Sequence, residues 1–438
     1  MEALFRELAT GILARIQAGE VLLLYLDGEN SDFVRFNRNA IRQAGHVRQQ
    51  RLSLSLIDGK RQTTAAFNLC GHLSRDLDQA GSTLRRMREQ LPFLPEDPYL
   101  QYATVPENTL QRSKNTLPAA SDAVTAILDT AQGLDLVGLW SSGEMAHGFA
   151  NSLGQFNWYC NHSFNFDWSV YQHGDKAVKQ NHAGFEWRQK VLDEKIDHAR
   201  ETLPLLSQTA RTIEPGRYRV YLTPGAMNEL MGLLGWGGFS LKSHRTAQTP
   251  LLGMIREGTT LGAQVNLREN HTAGLVPPFT RAGFIKPGQV DLIHAGIYRE
   301  CLANPRSASE YGLPVNCDIE TPQSLEITGG DLPNDGILQA LDTGIFLSNL
   351  WYSNFSDRNH CRITGMTRFA SLWVENGRIV APLNVMRFDE TLYNILGENL
   401  IALTQDTEHI FDASTYERRS ESSSRLPGAL VEDFNLTL

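Results

Sequence analysis

Residues 217–235 decide how this chain is organised, and they read Arg217-Tyr218-Arg219-Val220-Tyr221-Leu222-Thr223-Pro224-Gly225-Ala226-Met227-Asn228-Glu229-Leu230-Met231-Gly232-Leu233-Leu234-Gly235. The first part, up to Leu222, is rich in β-forming side chains and predicts a strand. A Thr-Pro-Gly turn signal follows, and the apolar run after it predicts a short helix over 226–235. Residues 212–216 contain a Pro-Gly pair that ends the preceding helical pattern. The sequence therefore predicts a domain boundary here, with domains at 1–212 and 213–438.

Upstream of this boundary, apolar residues at helical spacing alternate with strand-like runs. Helices are predicted near 3–17, 74–90, 121–132 and 184–208, and strands near 21–27, 33–36, 51–56, 61–67, 134–140 and 164–170. Asp58-Gly59 predicts a hairpin turn, and the Pro-rich stretch 91–119 predicts a wrapped loop. Downstream of the boundary, Gly-rich strand-like segments predict a mostly β domain. The predicted fold class is α+β.

Composition restricts the classes of function. The 438 residues are 41% hydrophobic with a net charge of -9, and no run of Lys and Arg suggests a nucleic-acid partner. The longest apolar run, 21–26, is too short for a membrane span. The acidic N-terminus does not resemble a signal peptide. The five cysteines include no CxxC pair, which argues against a disulfide framework or a zinc knuckle. We therefore expect a cytoplasmic protein.

Three stretches together resemble the TldD/PmbA family, once named modulators of DNA gyrase. The first resembles the N-terminal hairpin of that family and reads Ser31-Asp32-Phe33-Val34-Arg35-Phe36-Asn37, followed by Ile41-Arg42-Gln43. The second is similar to a GLPxTGN segment and reads Ala308-Ser309-Glu310-Tyr311-Gly312-Leu313-Pro314-Val315-Asn316. The third resembles a segment that ends in an ENGxI hairpin and reads Thr364-Gly365-Met366-Thr367-Arg368-Phe369, with Trp373-Val374-Glu375-Asn376-Gly377-Arg378-Ile379-Val380. The three stretches extend over nearly the whole chain.

The resemblance implies a fold and a type of complex. The implied fold is an N-terminal α/β domain with a long curved antiparallel sheet flanked by helices, followed by a β-rich C-terminal domain. The implied complex is a two-subunit metalloprotease in which one subunit holds zinc and the other does not. Two subunits of this kind enclose a chamber in which an extended peptide is cut.

The zinc-binding subunit of the family carries HExxxH on the helix that opens the second domain, with a cysteine near the C-terminus as third ligand. Two histidines on one helical face can hold zinc, with Glu as general base. The resemblance places Asn228 and Leu233 at the two histidine positions and Glu229 at the base position. From Thr415 onward there is no cysteine. An amide is a poor zinc ligand and Leu has no ligand atom, so we expect no catalytic residue and no metal in this chain.

This pattern is that of the metal-free, TldE-like member. The resemblance then implies a partner subunit that carries HExxxH and the zinc, with an unfolded or extended peptide as substrate. Candidate substrate contacts are Arg362, Thr364 and Arg368, although loop-tying roles explain them equally well. An alternative from another class is a stand-alone peptide-binding homodimer without protease activity.

Several further residues have both structural and functional interpretations. Glu229 has no metal-bound water to activate, so a structural or solvated role is expected. His360 and Cys361 could form a base–nucleophile pair, which makes a Cys361-dependent hydrolase a third hypothesis, but neighbours on a strand point to opposite faces. The aromatic run from Phe156 to Trp168 could line a peptide groove, and core packing is its usual interpretation.

Overall fold

The computed structural model describes residues 1–437, which form two large β-sheets with helices packed on them. The strands of the first sheet are β1 (Glu20–Asn37), β2 (Ala40–Asp58), β3 (Arg61–Asn68), β4 (Thr109–Arg112), β5 (Asp135–Asn151), β6 (Phe156–His173) and β7 (Lys176–Gly184). Their order is β3-β2-β1-β5-β6-β4, and β7 also pairs with β6. All pairs are antiparallel except β4 with β6. The helices of this half are α1 (Glu2–Leu13), α2 (Leu73–Gln90), α3 (Ala120–Thr130) and α4 (Gln189–Leu206).

The second sheet is built from the rest of the chain. Its strands are β8 (Gly216–Leu222), β9 (Leu267–Asn270), β10 (Gln289–His294), β11 (Ile297–Tyr298), β12 (Ser324–Ile327), β13 (Gly344–Asp357), β14 (Arg362–Glu375), β15 (Arg378–Pro382), β16 (Arg387–Thr391), β17 (Leu400–Phe411) and β18 (Ser423–Leu436). Its helices are α5 (Pro224–Gly235), α6 (Leu241–Arg245), α7 (Pro305–Tyr311) and α8 (Ile337–Leu341). The chain passes from one sheet to the other between α4 and β8, the connection in which the predicted boundary at 212–213 falls. The fold class is α+β.

One face of the first sheet is apolar and carries the four N-terminal helices. At one end, leucines of β1 and β2 pack on α1 and α2 around Phe5. At the other end, Trp140, Phe166 and Trp168 pack on α3 and α4. Each fully buried side chain of this size contributes about 1.5–3 kcal/mol through removal of apolar surface from water. Most of the aromatic run from Phe156 onward is therefore core, as predicted.

The other face of the first sheet is covered by the C-terminal half of the chain, with an apolar cluster around Phe149 and Phe279 at one end and a polar region beside it. Its buried polar residues are Glu29, Ser31, Ser141, His147, Asn161, Ser163 and Asn165. The segment between β17 and β18, residues 412–422, lies against this face, because Asn165 Nδ2 donates to the carbonyl of Phe411 and Gln49 Nε2 to that of Glu417. The two halves of the chain therefore meet across buried polar groups.

The strand β1 differs from its prediction. The sequence predicts two short strands separated at Asp27-Gly28, whereas β1 is one continuous strand. Its register with β2 runs without interruption from Glu20 opposite Asp58 to Arg35 opposite Gln43. Because β2 and β5 both pair with it, their hydrogen bonds hold Asp27 and Gly28 extended despite their turn preference. The predicted hairpin at Asp58-Gly59 is confirmed.

The part of the chain that the structure describes contains no helix long and apolar enough to cross a membrane.

Candidate functional site

Helix α5 carries Asn228, Glu229 and Leu233, the three positions of the lost metal site that the family resemblance implies. It begins after Thr223, whose Oγ1 accepts a hydrogen bond from the backbone N–H of Ala226 at 3.3 Å, and Pro224 occupies its first turn. Its buried face, centred on Met227 and Leu230, packs into the core of the second sheet. Its opposite face exposes Glu229, Gly232 and Trp236. Glycine leaves this face open, because a Cβ at position 232 would meet nothing within 4 Å.

The structure places the two residues predicted at lost histidine positions in structural roles. Asn228 is half-buried, and its Oδ1 accepts a 2.6 Å hydrogen bond from Ser424 Oγ on β18. Leu233 is also half-buried and packs against the core of the second sheet. The first side chain is engaged with protein and the second has no ligand atom, so these residues do not fit a zinc ion. Among residues 1–437, no group of three or more His, Cys, Asp or Glu side chains is arranged to hold a metal.

Glu229 has a different environment from these neighbours. No hydrogen bond joins its carboxylate to another of the described residues. Its side chain reaches solvent, yet the protein atoms around it reduce hydration and raise its pKa. The positive charge of Lys179 lowers this pKa and the negative charge of Asp167 raises it. Lys179 and Asp167 lie on β7 and β6 and form a 2.5 Å ion pair with each other, so the charges that act on Glu229 belong to the first sheet.

The three candidate substrate contacts lie along β14 but do not form one site. Arg362 forms an ion pair with Asp389 at 3.1 Å. Thr364 Oγ1 donates a 2.9 Å hydrogen bond to the carbonyl of Phe388, so both residues tie β14 to β16. Arg368 instead lies near β13, with its guanidinium carbon 5.3 Å from the centre of the Trp351 ring. Its Nε is buried without a hydrogen-bond partner among the described residues.

The surface beside Arg368 is unusually aromatic. Trp351 and Tyr352 on β13 are 46% and 79% exposed. Strand β13 pairs with β8 only from Ile345 to Leu347. Beyond that point β14 flanks one side of β13, and α5 packs near the other. Gly225 at the start of α5 lies close to Asn349 of β13, because a Cβ atom built at position 225 would lie 3.3 Å from the side-chain nitrogen of Asn349. The open face of α5 and the aromatic part of β13 therefore border one another.

The structure does not assemble the proposed Cys361–His360 pair. Cys361 is 1% exposed, and burial raises the pKa of its thiol to about 12. His360 is exposed and hydrogen-bonds through Nδ1 to Asp357 Oδ2 at 2.7 Å. A buried, protonated thiol is a poor nucleophile, so the Cys361 hydrolase hypothesis is not supported.

The sequence analysis missed a buried ionic network between the two halves of the chain. At its centre is His147 of β5, with Nδ1 3.4 Å from Asp27 of β1 and Nε2 2.7 Å from Glu421. Asp27 also accepts from Arg281 at 3.0 Å and from Arg418 at 2.8 Å. These residues are far apart in sequence. The sequence feature that could have indicated this network is the polar run Asp27-Gly28-Glu29, which follows directly after the apolar residues 21–26.

The charged state of this network follows from its contacts. Burial disfavours the imidazolium of His147, but the carboxylates of Glu421 and Asp27 outweigh this effect and raise its pKa. Burial opposes ionisation of Glu421, and the charges of His147 and Arg418 nevertheless lower its pKa. The same balance lowers the pKa of Asp27, mainly through His147. The network is therefore stabilised in its ionised form.

Arg419 extends the network along the polar face. It is buried, and its guanidinium donates to the carbonyls of Ser163 and Gly143, each at 3.0 Å. Its Nε lies 3.7 Å from Glu29. Because Arg418, Arg419 and Glu421 all belong to the segment 412–422, this network fixes that segment onto the first sheet.

The chain is similar to known proteins in both sequence and fold. Residues 215–438 match the family model described as the PmbA/TldA metallopeptidase C-terminal domain. Among solved structures, TldE from Thermococcus kodakarensis is similar over 100% of both chains, with 14% identity and a TM-score of 0.79. A candidate modulator of DNA gyrase from Thermotoga maritima has 12% identity and a TM-score of 0.76 over 99% of this chain and 100% of that one. Another, from Bacteroides thetaiotaomicron, has 15% identity and a TM-score of 0.76 over 100% and 98%. No curated protein matches this sequence.

Proposed function

This chain belongs to the TldD/PmbA family, and we propose that it is the non-catalytic subunit of a two-subunit zinc peptidase that cuts extended peptides. In this proposal the partner subunit carries HExxxH and the zinc ion. The present chain completes the chamber and holds part of the peptide. A cytoplasmic setting agrees with the free state of all five cysteines.

The observation that carries the proposal is the state of helix α5. Asn228 is hydrogen-bonded to Ser424, and Leu233 packs on the core. The amide oxygen of Asn228, a poor zinc ligand, is already engaged, and Leu233 has no ligand atom, so these positions do not form a zinc site. The chain nevertheless keeps the helix and the two-sheet fold, which supports a role that needs the surface of the helix rather than a metal.

The surface around α5 is suited to an extended peptide. Gly232 leaves the exposed face of the helix open, and Trp351 and Tyr352 offer flat apolar surfaces nearby. Main-chain pairing with a strand binds peptides with little dependence on their sequence. Arg368 adds a cation beside the exposed Trp351, and its guanidinium could bind a peptide carbonyl or carboxylate.

The alternative function, a stand-alone peptide-binding homodimer, uses the same surface without a protease partner. The exposed pair Trp351 and Tyr352 agrees with it equally well, because exposed aromatic residues are typical of protein interfaces. The two functions differ in whether any peptide bond is cut when an HExxxH homologue is added.

The test compares one substitution in two subunits. Glu229→Gln in this chain should leave peptide hydrolysis by the mixed complex within about twofold, because Asn228 and Leu233 cannot hold a metal ion whose bound water Glu229 would activate. The same Glu→Gln change in HExxxH of the partner should lower hydrolysis by a factor on the order of 100 or more. Loss of activity on Glu229→Gln alone would contradict the non-catalytic assignment. Peptide binding without hydrolysis in the mixture would favour the homodimer.

A further inference from the structure

The N-terminal half of strand β2 forms an outer edge of the first sheet. The strand pairs with β1 along its length, but β3 pairs with it only from Arg51 to Asp58. The carbonyl of Gln50 accepts from the N–H of Leu69 at 2.8 Å, and beyond this bond the outer edge has no backbone partner among the described residues. Pairing with β1 is regular from Gln43 to Gln49, which gives about 23 Å of straight edge. An average strand of five or six residues fits this length.

This edge lacks most of the features that prevent strand addition. Exposed edges are usually shortened, interrupted by Pro, bent by bulges or covered. Residues 43–49 contain no Pro and include the small residues Ala44 and Gly45. The one irregularity of pairing lies at Arg42, next to the hairpin turn. The edge is therefore open to another strand.

The hairpin that carries the edge is fixed in place. Arg38 and Asn39 both have positive φ angles, 53° and 49°, as in the two-residue turns that match strand twist. The backbone N–H of Asn39 donates to the carbonyl of Leu136, and its Nδ2 donates to that of Leu128, each at 3.0 Å. These bonds anchor the tip of the hairpin to β5 and α3. A binding strand would not have to order this edge.

The charge of the hairpin is opposite to that of the protein as a whole. The chain carries a net charge of -9, yet residues 33–57 contain no Asp or Glu. They contain five arginines, all of them exposed, which are Arg35, Arg38, Arg42, Arg48 and Arg51. None of the five forms an ion pair or side-chain hydrogen bond with another of the described residues. We call this set the hairpin arginines.

Two carboxylates beside the edge are already bound to other side chains. Asp32, which faces β2 from β1, is hydrogen-bonded to His46 at 2.8 Å. Glu29, opposite Gln49, is buried and accepts from Gln49 Nε2 at 2.8 Å. The hairpin arginines are exposed, and none of them has an ion-pair partner among the described residues.

We propose that the edge from Gln43 to Gln49 binds an extended acidic segment of another polypeptide as an added strand. The backbone of the segment would pair with β2, and its Asp or Glu side chains would pair with the hairpin arginines. Arginine binds carboxylates in a bidentate, charge-assisted geometry. This site lies on the N-terminal sheet, away from α5, and does not depend on the proposed peptidase role.

Two other occupants fit the edge less well. A second copy paired edge to edge would bring two sets of hairpin arginines together, and like charges across strands are destabilising. A nucleic acid would satisfy the arginines but would leave the backbone N–H and C=O groups of β2 unpaired. An acidic strand satisfies both sets of groups.

The test measures binding of a fluorescent peptide of alternating Glu and Thr to the full chain by anisotropy. Arg42→Glu/Arg48→Glu should weaken binding by about tenfold or more, since two attractive contacts become repulsive. The matched control is Arg378→Glu/Arg387→Glu, which makes the same charge change at exposed positions on the second sheet and should leave binding unchanged. Equal loss in both double variants would overturn the proposal.

A second comparison separates strand pairing from simple charge attraction. Peptides N-methylated on alternate residues keep every charge but lose the main-chain donors of one edge. In one of the two alternate patterns the N-methyl groups face β2, and that peptide should lose binding. In the other pattern they face solvent, and that peptide should keep binding. Retained binding of both would overturn the proposal, as would tighter binding of a single-stranded oligonucleotide. A change from dimer to monomer on Arg42→Glu/Arg48→Glu would identify a second copy as the occupant and would also overturn it.

Discussion

The Nε2 atom of His147 lies 2.7 Å from the Oε1 atom of Glu421, and this contact joins the middle of the first sheet to the segment before the last strand. The side chains are 2% and 6% exposed. Asp27 and Arg418 complete the charge balance around them. A buried pair of this kind is costly to break from one side, because the carboxylates that remain lose their buried cation and keep only the partly exposed Arg418 and Arg281 as partners.

Replacement of His147 by Ala should lower the free energy of unfolding by about 3 kcal/mol, because Glu421 and Asp27 would lose the buried cation between them and keep only arginine partners. Urea denaturation at pH 6 measures the change. The control is His46→Ala, which removes an exposed His–Asp contact and should cost less than about 1 kcal/mol. Similar losses in both variants would show that the buried network adds no special stability.

The same network predicts a dependence of stability on pH. The pKa of His147 is raised above 6.5, so its contribution is fully present below pH 6.5 and is lost as pH rises through the raised pKa. The pKa of Glu421 is lowered below 4.5, so its contribution is present above pH 4.5 and is lost as pH falls through the lowered pKa. The stability difference between wild type and His147→Gln should therefore be largest between about pH 4.5 and 6.5 and should shrink at alkaline pH. A difference that grows with alkaline pH would contradict this assignment.

The fold was largely predictable from local pattern, whereas the network was not. Helix α5 follows from the Thr-Pro-Gly turn and the apolar run, and the β2–β3 hairpin follows from Asp58-Gly59. Asp27 was misread as a strand end because turn preference is local and pairing on both sides overrides it. His147 and Glu421 lie 274 residues apart, and no periodicity joins positions at such separation. The positions of the lost metal ligands, Asn228 and Leu233, came from the family resemblance. Composition and spacing alone could not have identified them.

Replacement of Glu269 by Gln should stabilise the protein at pH 8. Glu269 is 1% exposed, and burial raises its pKa to about 7, so its ionisation weakens folding as pH rises from 4.5 towards 7. Gln keeps the oxygen that accepts from the backbone N–H groups of Gln323 and Ser324. The expected gain at pH 8 is on the order of 1–3 kcal/mol, with little gain at pH 4. A variant less stable than wild type at pH 8 would refute this account of Glu269.

The arginines on β14 should separate into structural and binding roles. Arg362→Ala removes a partly exposed pair with Asp389 and should cost less than about 1 kcal/mol of stability, without altering peptide affinity. Arg368→Ala should weaken peptide binding by a few fold, because its cation lies beside Trp351 on the open surface. Calorimetric titration of an extended peptide into each variant makes the comparison. Equal peptide affinity in both variants would remove Arg368 from the binding surface.

The most direct measurement of the central proposal is zinc content and peptidase activity of this chain alone and mixed with its HExxxH homologue. We expect less than one zinc per ten copies of the lone chain (roughly the level of adventitious binding) and no hydrolysis, because Asn228 and Leu233 offer no ligand site. The mixture should contain zinc at one per pair and should cut peptides in a chelator-sensitive way. Stoichiometric zinc with chelator-sensitive hydrolysis by the lone chain would contradict the assignment of this chain as the non-catalytic subunit.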